Sequence, residues 1–207
     1  MLNLGNSITT IPGWLSGIQD KVLFNLTAEY NNPNTVGVEI GSLHGRSSYI
    51  ISTAIPLGKL YCIDLWDGKS CFSPELSNEV SKKYYHPTDD MYNTLEFFLE
   101  NVKDRTNIFT IKGSSPSCVQ DWDTLVDFVF LDAEHKNPSD MDNINFWLPK
   151  IKPGGMFIGH DADYDDVVKN IKYLENLLEQ SVTIVPKTSI YYFKIPINLI
   201  GKYNGKL

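Results

Sequence analysis

Five clusters of polar, chemistry-bearing residues punctuate this chain of 207 residues, each placed directly after a short apolar run. The first reads Val38-Glu39-Ile40-Gly41-Ser42-Leu43-His44-Gly45-Arg46-Ser47, an acidic residue followed by G-x-x-x-G. Glycines at such a junction let backbone approach a ligand. The spacing is not the G-x-G-x-x-G that aims a helix N-terminus at a pyrophosphate, and Glu39 would repel one. A carboxylate here suits a cationic ligand, or its ammonium or hydroxyl groups, while Ser47 at the next helix can receive a carboxylate. An ordinary tight βα turn is the plain alternative.

The second cluster, Asp64-Leu65-Trp66, begins 25 residues after Glu39. Its carboxylate can accept both hydroxyls of a ribose, and the indole can cover an adenine or line the rim; alone, an aspartate at such a position is more often a helix or turn cap. In Gly113-Ser114-Ser115, hydroxyls and backbone N–H groups can read adenine or can cap a short helix from Pro116. Asp132-Ala133-Glu134-His135 and Gly159-His160-Asp161 complete the set. A histidine beside a carboxylate can take the proton of an acceptor hydroxyl near neutral pH, the alternative being a structural hydrogen bond.

The elements that must position these groups alternate between strand-length apolar runs and longer segments of helical spacing, which indicates an α/β domain. Strands are expected at Thr35 to Ile40, Lys59 to Asp64, Asn107 to Lys112, Asp127 to Asp132 and Met156 to Asp161, the last after a Pro153-Gly154-Gly155 turn. Phe128-Val129-Phe130-Leu131 lacks polar alternation, as in a parallel strand covered on both faces. Helices are expected at Arg46 to Ala54, at Asp90 to Val102 (Met91, Leu95, Phe98, Leu99 and Val102 on one face), at Pro138 to Leu148, and from about Tyr164 to Gln180 with Asp163 as cap. Val182 to Val185 and Ser189 to Lys194 are too close for a crossover helix and should form an antiparallel edge hairpin. Residues 1–34 read as a helical extension with Trp14, Leu15, Ile18, Val22 and Leu26 on one face, able to pack on another copy of the chain as a homo-oligomer. Residues 66–88 read as a lid or substrate wall. Every polar cluster falls at the carboxyl end of a strand, the edge where open parallel sheets bind ligands.

Composition narrows the partners. Twenty-five acidic against 18 basic side chains leave a net charge of −7, and the longest basic tract is Lys82-Lys83, which argues against nucleic acid and anionic membranes. No stretch approaches the roughly 20 apolar residues of a membrane span, and no secretory leader pattern opens the chain. Three cysteines without a C-x-x-C pair fit a reducing compartment, so the expected location is the cytoplasm. The length suits one domain over residues 1–207.

In order and spacing, VEIGSLHGRS, Asp64 to Trp66, Gly113 to Ser115, Asp132 to His135 and Lys152 to Asp161 resemble the class I S-adenosylmethionine-dependent methyltransferases, in particular a small-molecule O-methyltransferase branch. The resemblance implies a Rossmann-like, seven-stranded, mostly parallel sheet with a reversed edge strand and helices on both faces. It places Glu39, Gly41, Ser42, Gly45 and Ser47 at the methionine end of the cofactor and Asp64 at the ribose. Ser114 and Ser115, with Trp66 nearby, fall at the adenine, and Asp132 and His135 lie close to it. Metal-dependent relatives imply a divalent ion, Mg²⁺, on Asp132 and Asp161, although Ala162 stands where such relatives supply another oxygen ligand. His135 or His160, each beside an aspartate, is then the candidate base. The leading expectation is O-methylation of a small hydroxylated acceptor, a sugar or a phenolic compound. A noncatalytic cofactor-binding or assembly protein is the alternative, and an NAD-dependent oxidoreductase the more distant one.

Overall fold

A computed structural model describes residues 11–15, 17–67 and 94–197. The chain runs α1 (Gly17–Ala28), β1 (Val36–Ile40), α2 (Arg46–Ala54), β2 (Lys59–Asp64), α3 (Thr94–Asn101), β3 (Ile108–Lys112), β4 (Val126–Leu131), α4 (Ser139–Trp147), β5 (Ile151–Gly159), α5 (Asp165–Leu178), β6 (Thr183–Ile184) and β7 (Tyr191–Lys194), with short 3₁₀ turns at Ser117–Val119 and Leu148–Lys150. The strands form one seven-stranded sheet in the order β3-β2-β1-β4-β5-β7-β6. β1 to β5 pair in parallel, and β7 lies antiparallel between β5 and β6. This is the expected fold class. The order reverses between β1 and β4, which opens a crevice at their carboxyl ends.

Strand periodicity divides the core. Val38, Ile40, Val129 and Leu131 pack toward α4 and α5 with Ile144, Trp147 and Leu174. Leu60, Cys62, Phe128 and Phe130 pack on the other face with Leu23, Ile50 and Phe98 from α1, α2 and α3. Both faces are therefore closed by helices, which is why these strands tolerate continuous apolar runs.

Several local expectations change. On α1 the buried face is Gln19, Asp20, Leu23, Phe24 and Thr27, whereas Ile18 is 53% and Trp14 43% exposed. Helical spacing cannot reveal that polar side chains point inward to partners supplied by distant segments. Leu99 is exposed rather than buried beside Phe98, because the sheet meets only the narrow stripe of α3 that carries Phe98. Pro153-Gly154-Gly155 lies inside β5, not before it; the register shift against β4 between Val126 and Phe128 accommodates it. Tyr164, not Asp163, is the N-cap residue of α5, and the buried stripe of that helix includes the polar Asn170 beside Val167, Ile171, Leu174 and Leu178. Nearly all of the expected lid, and residues Asp90 to Asn93, lie outside the described residues. Among those described, no helix is long and apolar enough to cross a membrane.

Gly37 of β1 sits opposite Phe128 of β4, and a Cβ at residue 37 would overlap the Phe128 ring. Gly37→Ala should therefore cost about 1 to 3 kcal/mol by overpacking. Urea unfolding measures it; an unchanged midpoint would show that the ring moves aside freely.

Candidate functional site

The loop after β1 is bent by left-handed residues: Gly41 at φ +87°, Leu43 at +44° and Gly45 at +90°. At Gly41 a Cβ would strike the carbonyl oxygen of Asp132, so only glycine brings this loop against the end of β4. Asp64 holds the loop from the other side. Its Oδ2 accepts the N–H groups of Ser42 and Leu43, both at 2.9 Å, and its Oδ1 accepts that of Trp66 at 2.7 Å. A half-buried carboxylate keeps further lone pairs for a ribose.

Trp66 does not form a rim or an adenine cover. It is 1% exposed, packs on Phe98, and donates its indole N–H to the Leu43 carbonyl at 2.8 Å. It props the loop from beneath, since an indole finds both apolar packing and an acceptor there. Glu39 is likewise fully buried, where burial raises its pKa. Its Oε2 accepts the hydroxyls of Ser42, at 2.7 Å, and Ser48, while Oε1 is buried with no hydrogen-bond partner among the described residues. That orphaned acceptor under a glycine loop fits a ligand bearing an ammonium group.

Ser47 is buried in the first turn of α2. Beside it, Arg46 pairs with Asp20 of α1 through Nη2–Oδ2 at 2.6 Å and Nε–Oδ1 at 3.2 Å, and donates to the Ile11 carbonyl. After β3, Ser114 is exposed and Ser115 half-buried; the Ser115 hydroxyl accepts the indole N–H of Trp147 at 3.0 Å. These two serines therefore lie along the same edge as the glycine loop, with the Gly113 N–H donated to the Asp64 carbonyl.

The ends of β4 and β5 bring Asp132, His135 and Asp161 together, each offering one ligand atom within 4.8 Å of the others. His135 Nε2 lies 2.9 Å from Asp161 Oδ2 and 3.9 Å from Asp132 Oδ1. His160 Nδ1 lies 3.2 Å from Asp132 Oδ1 and 3.0 Å from Asp161 Oδ2, off the line a good hydrogen bond needs. His135 and Asp161 both sit at φ +58°, a strained conformation for these residues that gathers at functional sites. Burial works against the charged form of both histidines, but the two aspartates outweigh it, raising His135 and holding His160 up to about 10. Burial in turn opposes ionisation of Asp161, yet the His135 and His160 rings at 2.9 and 3.0 Å pull its carboxyl well below the usual range.

Accessibility separates the two histidines. The His135 side chain is 20% exposed and that of His160 4%, so an acceptor can reach His135, while His160 lies beneath. The far side of His160 is held by residues that sequence reasoning missed. Its Nε2 is 2.8 Å from Gln19 Nε2 and 3.0 Å from the Ser189 hydroxyl, and the Gln19 amide donates to Ser189 at 2.9 Å. Gln19 and Ser189 are 170 residues apart in the chain, and their only local sign is a polar residue interrupting an apolar stripe. Next to them opens a groove of about 380 Å³ lined by Gln19, Ala162, Asp163, Ile184, Lys187, Thr188 and Ser189. His44 stands apart, its ring against Phe97.

Comparison with known proteins agrees with this arrangement. Residues 38–162 match a family described as "Methyltransferase domain". Among solved structures, the O-methyltransferase TomG from Streptomyces achromogenes, involved in tomaymycin synthesis and solved with SAM, superposes at TM-score 0.61 with 15% identity, over 92% of this chain and 90% of that one. An O-methyltransferase from Bacillus cereus in complex with SAH gives 0.58, 17%, 92% and 86%. An rRNA methylase from Streptococcus thermophilus gives 0.56, 13%, 88% and 99%. At such identities the likeness is one of fold, and the same fold serves different acceptors.

The acid–histidine cluster carries a pH signature. The His160 imidazolium stabilises the fold fully below its unfolded pKa of about 6.5 and loses that contribution as pH rises through about 10. Asp161, depressed, contributes above its unfolded pKa of about 3.9 and loses its contribution on acidification. In chelator-treated buffer the urea midpoint should therefore fall between about pH 6.5 and 10, and His160→Gln should flatten that alkaline limb. An equal fall in the variant would contradict the assignment.

Proposed function

The chain belongs to the methyltransferase domain family, and from that premise we propose that it carries a methyl group from S-adenosylmethionine to a hydroxyl of a small acceptor. One observation supports this reading above the others. The glycine loop, packed on the backbone of Asp132, opens on the same edge as an accessible histidine paired with Asp161. When bound, S-adenosylmethionine supplies an electrophilic sulfonium methyl, so the acceptor oxygen gains an O–C bond as the C–S bond breaks and its electron pair returns to sulfur.

The protein's own groups do the rest. The Gly41 to Gly45 backbone and the orphaned Glu39 acceptor fit the methionine end, and Asp64 the ribose. The Nε2 of His135 faces Asp161, so with the proton on Nε2 the Nδ1 is left to take the hydroxyl proton while Asp161 steadies the imidazolium. His160, out of reach of an acceptor, positions Asp132 and Asp161 from below. Catalysis by such a site is largely alignment of oxygen and methyl.

In the alternative, metal-dependent form of the site, a divalent cation would be held by Asp132, His135 and Asp161, with His135 then a ligand and not the base. Ala162, 9% exposed, offers no ligand. Two carboxylates and one imidazole suit Mn²⁺ better than the Mg²⁺ expected from all-oxygen sites, and such an ion would polarise the acceptor hydroxyl.

Calorimetry should detect S-adenosylmethionine binding that Gly41→Val abolishes and Asp64→Ala weakens at least about tenfold. With hydroxylated acceptors, release of S-adenosylhomocysteine should fall about 10²- to 10⁴-fold in His135→Gln while cofactor affinity is retained. Absence of cofactor binding would refute the proposal; binding without release across the panel would favour the noncatalytic reading. Separately, Mn²⁺ titration followed by electron paramagnetic resonance should show a site that Asp132→Ala removes, and no bound Mn²⁺ would refute the metal.

A further inference from the structure

The groove beside His160 ends on the turn that joins β6 to β7, and that turn contains a residue it does not favour. Thr188 N donates to the Val185 carbonyl at 3.1 Å, closing a four-residue turn with Pro186 second and Lys187 third. Lys187 stands at φ +64°, where a turn of this pattern ordinarily takes glycine or asparagine. The turn closes without help from the lysine side chain. The Thr188 hydroxyl donates to the Val185 carbonyl at 2.9 Å and accepts the Ile190 N–H at 3.2 Å, and Val185 N donates to the Ile190 carbonyl. Lys187 is exposed and makes no ion pair with any described residue, yet it lines the groove with Thr188, Ser189 and Gln19.

The described groove lining carries one charge of each sign: Lys187 from the β6–β7 turn and Asp163 from the turn after β5. Asp161 and Asp132 beyond it are paired with His135 and His160, and Arg46 on this edge is already engaged by Asp20.

We propose that Lys187 is an anion-recognising residue of the acceptor groove. The acceptor is then a small hydroxylated molecule carrying a carboxylate or phosphate, seated with its acid group at the hairpin and its hydroxyl toward the β5 edge. The inference rests on the methyl-transfer reading above. Repulsion from Asp163, the acid of the described groove lining, disfavours the reversed orientation, so one attraction and one repulsion together select both the molecule and its direction. A groove of about 380 Å³ is within the size range of small-molecule sites. Strain at Lys187 is then retained for function, since glycine would satisfy the turn with less.

The test uses the full chain saturated with S-adenosylhomocysteine, its binding first established by calorimetry. Amide spectra are followed during titration with glucose, glucose 6-phosphate, glucuronate and inorganic phosphate. The acid-bearing probes should shift the Thr188 and Ser189 amides saturably, with glucose at least tenfold weaker; comparing phosphate with carboxylate identifies the acid group. Lys187→Gln and Lys187→Gly should erase the difference and Lys187→Arg should keep it. Lys187→Gly should at the same time leave Tm unchanged or higher, because glycine relaxes the turn, an outcome that a merely structural lysine would not combine with lost selectivity. Equal response to neutral and acidic probes, no response to any, or selectivity surviving in Lys187→Gln overturns this inference alone. Failure to bind S-adenosylhomocysteine overturns the reading on which it rests.

Discussion

The constraint on which the site depends is the close approach of two parallel strand ends. The Asp132 N–H donates to the Ile40 carbonyl and the Gly41 N–H to that of Ile63, both at 2.9 Å, so the sheet ladder continues one residue past β1 and β4 before the chain turns. Gly41 then rests on the Asp132 carbonyl with no space for a Cβ. This one contact sets the glycine loop and the acid–histidine cluster side by side. Both could be built independently by local sequence, but only the β1–β4 pairing gives them a common edge. The crevice belongs to the strand order, and the chemistry to what stands on the strand ends.

A second layer of organisation comes from α1. Consecutive residues of this helix reach the two halves of the edge: Asp20 engages Arg46 at the head of α2, and Gln19 meets His160 and Ser189. A helix that turns polar groups inward and leaves Ile18 exposed forgoes apolar burial, and removing one partner of the buried Asp20–Arg46 pair would leave an uncompensated charge. What the arrangement achieves is rigidity between the glycine loop and the histidine cluster. The backbone bond from Ala162 N to the Ser189 carbonyl, 3.0 Å, extends the same bracing to the hairpin, so the groove wall and the acid cluster move together.

Much of this was legible from residue order. Continuous apolar runs such as Phe128 to Leu131 signal strands covered on both faces, and the short Pro186-Lys187-Thr188 connection rules out a crossover, which yields the reversed edge. Glu39, Asp64, Asp132 and Asp161, at or just past the ends of β1, β2, β4 and β5, gather carboxylates along one edge of a chain whose net charge is −7. The departures at Trp66 and on α1 share a cause. Both were read by what their side chains can do in isolation, but burial reassigns a side chain to whatever partner reaches it. An indole beneath a loop becomes a prop.

Sequence by itself therefore determined the architecture, the ligand edge and the candidate chemistry, because hydrophobic periodicity, turn chemistry and glycine placement are local properties that act within a few residues. Tertiary structure alone decided which histidine an acceptor can reach, which carboxylates converge on it, and that Gln19 and Ser189, 170 residues apart, close the far side of His160. Those are matters of distance and burial between segments remote in the chain, and packing sets them only when the whole sheet and its helices come together.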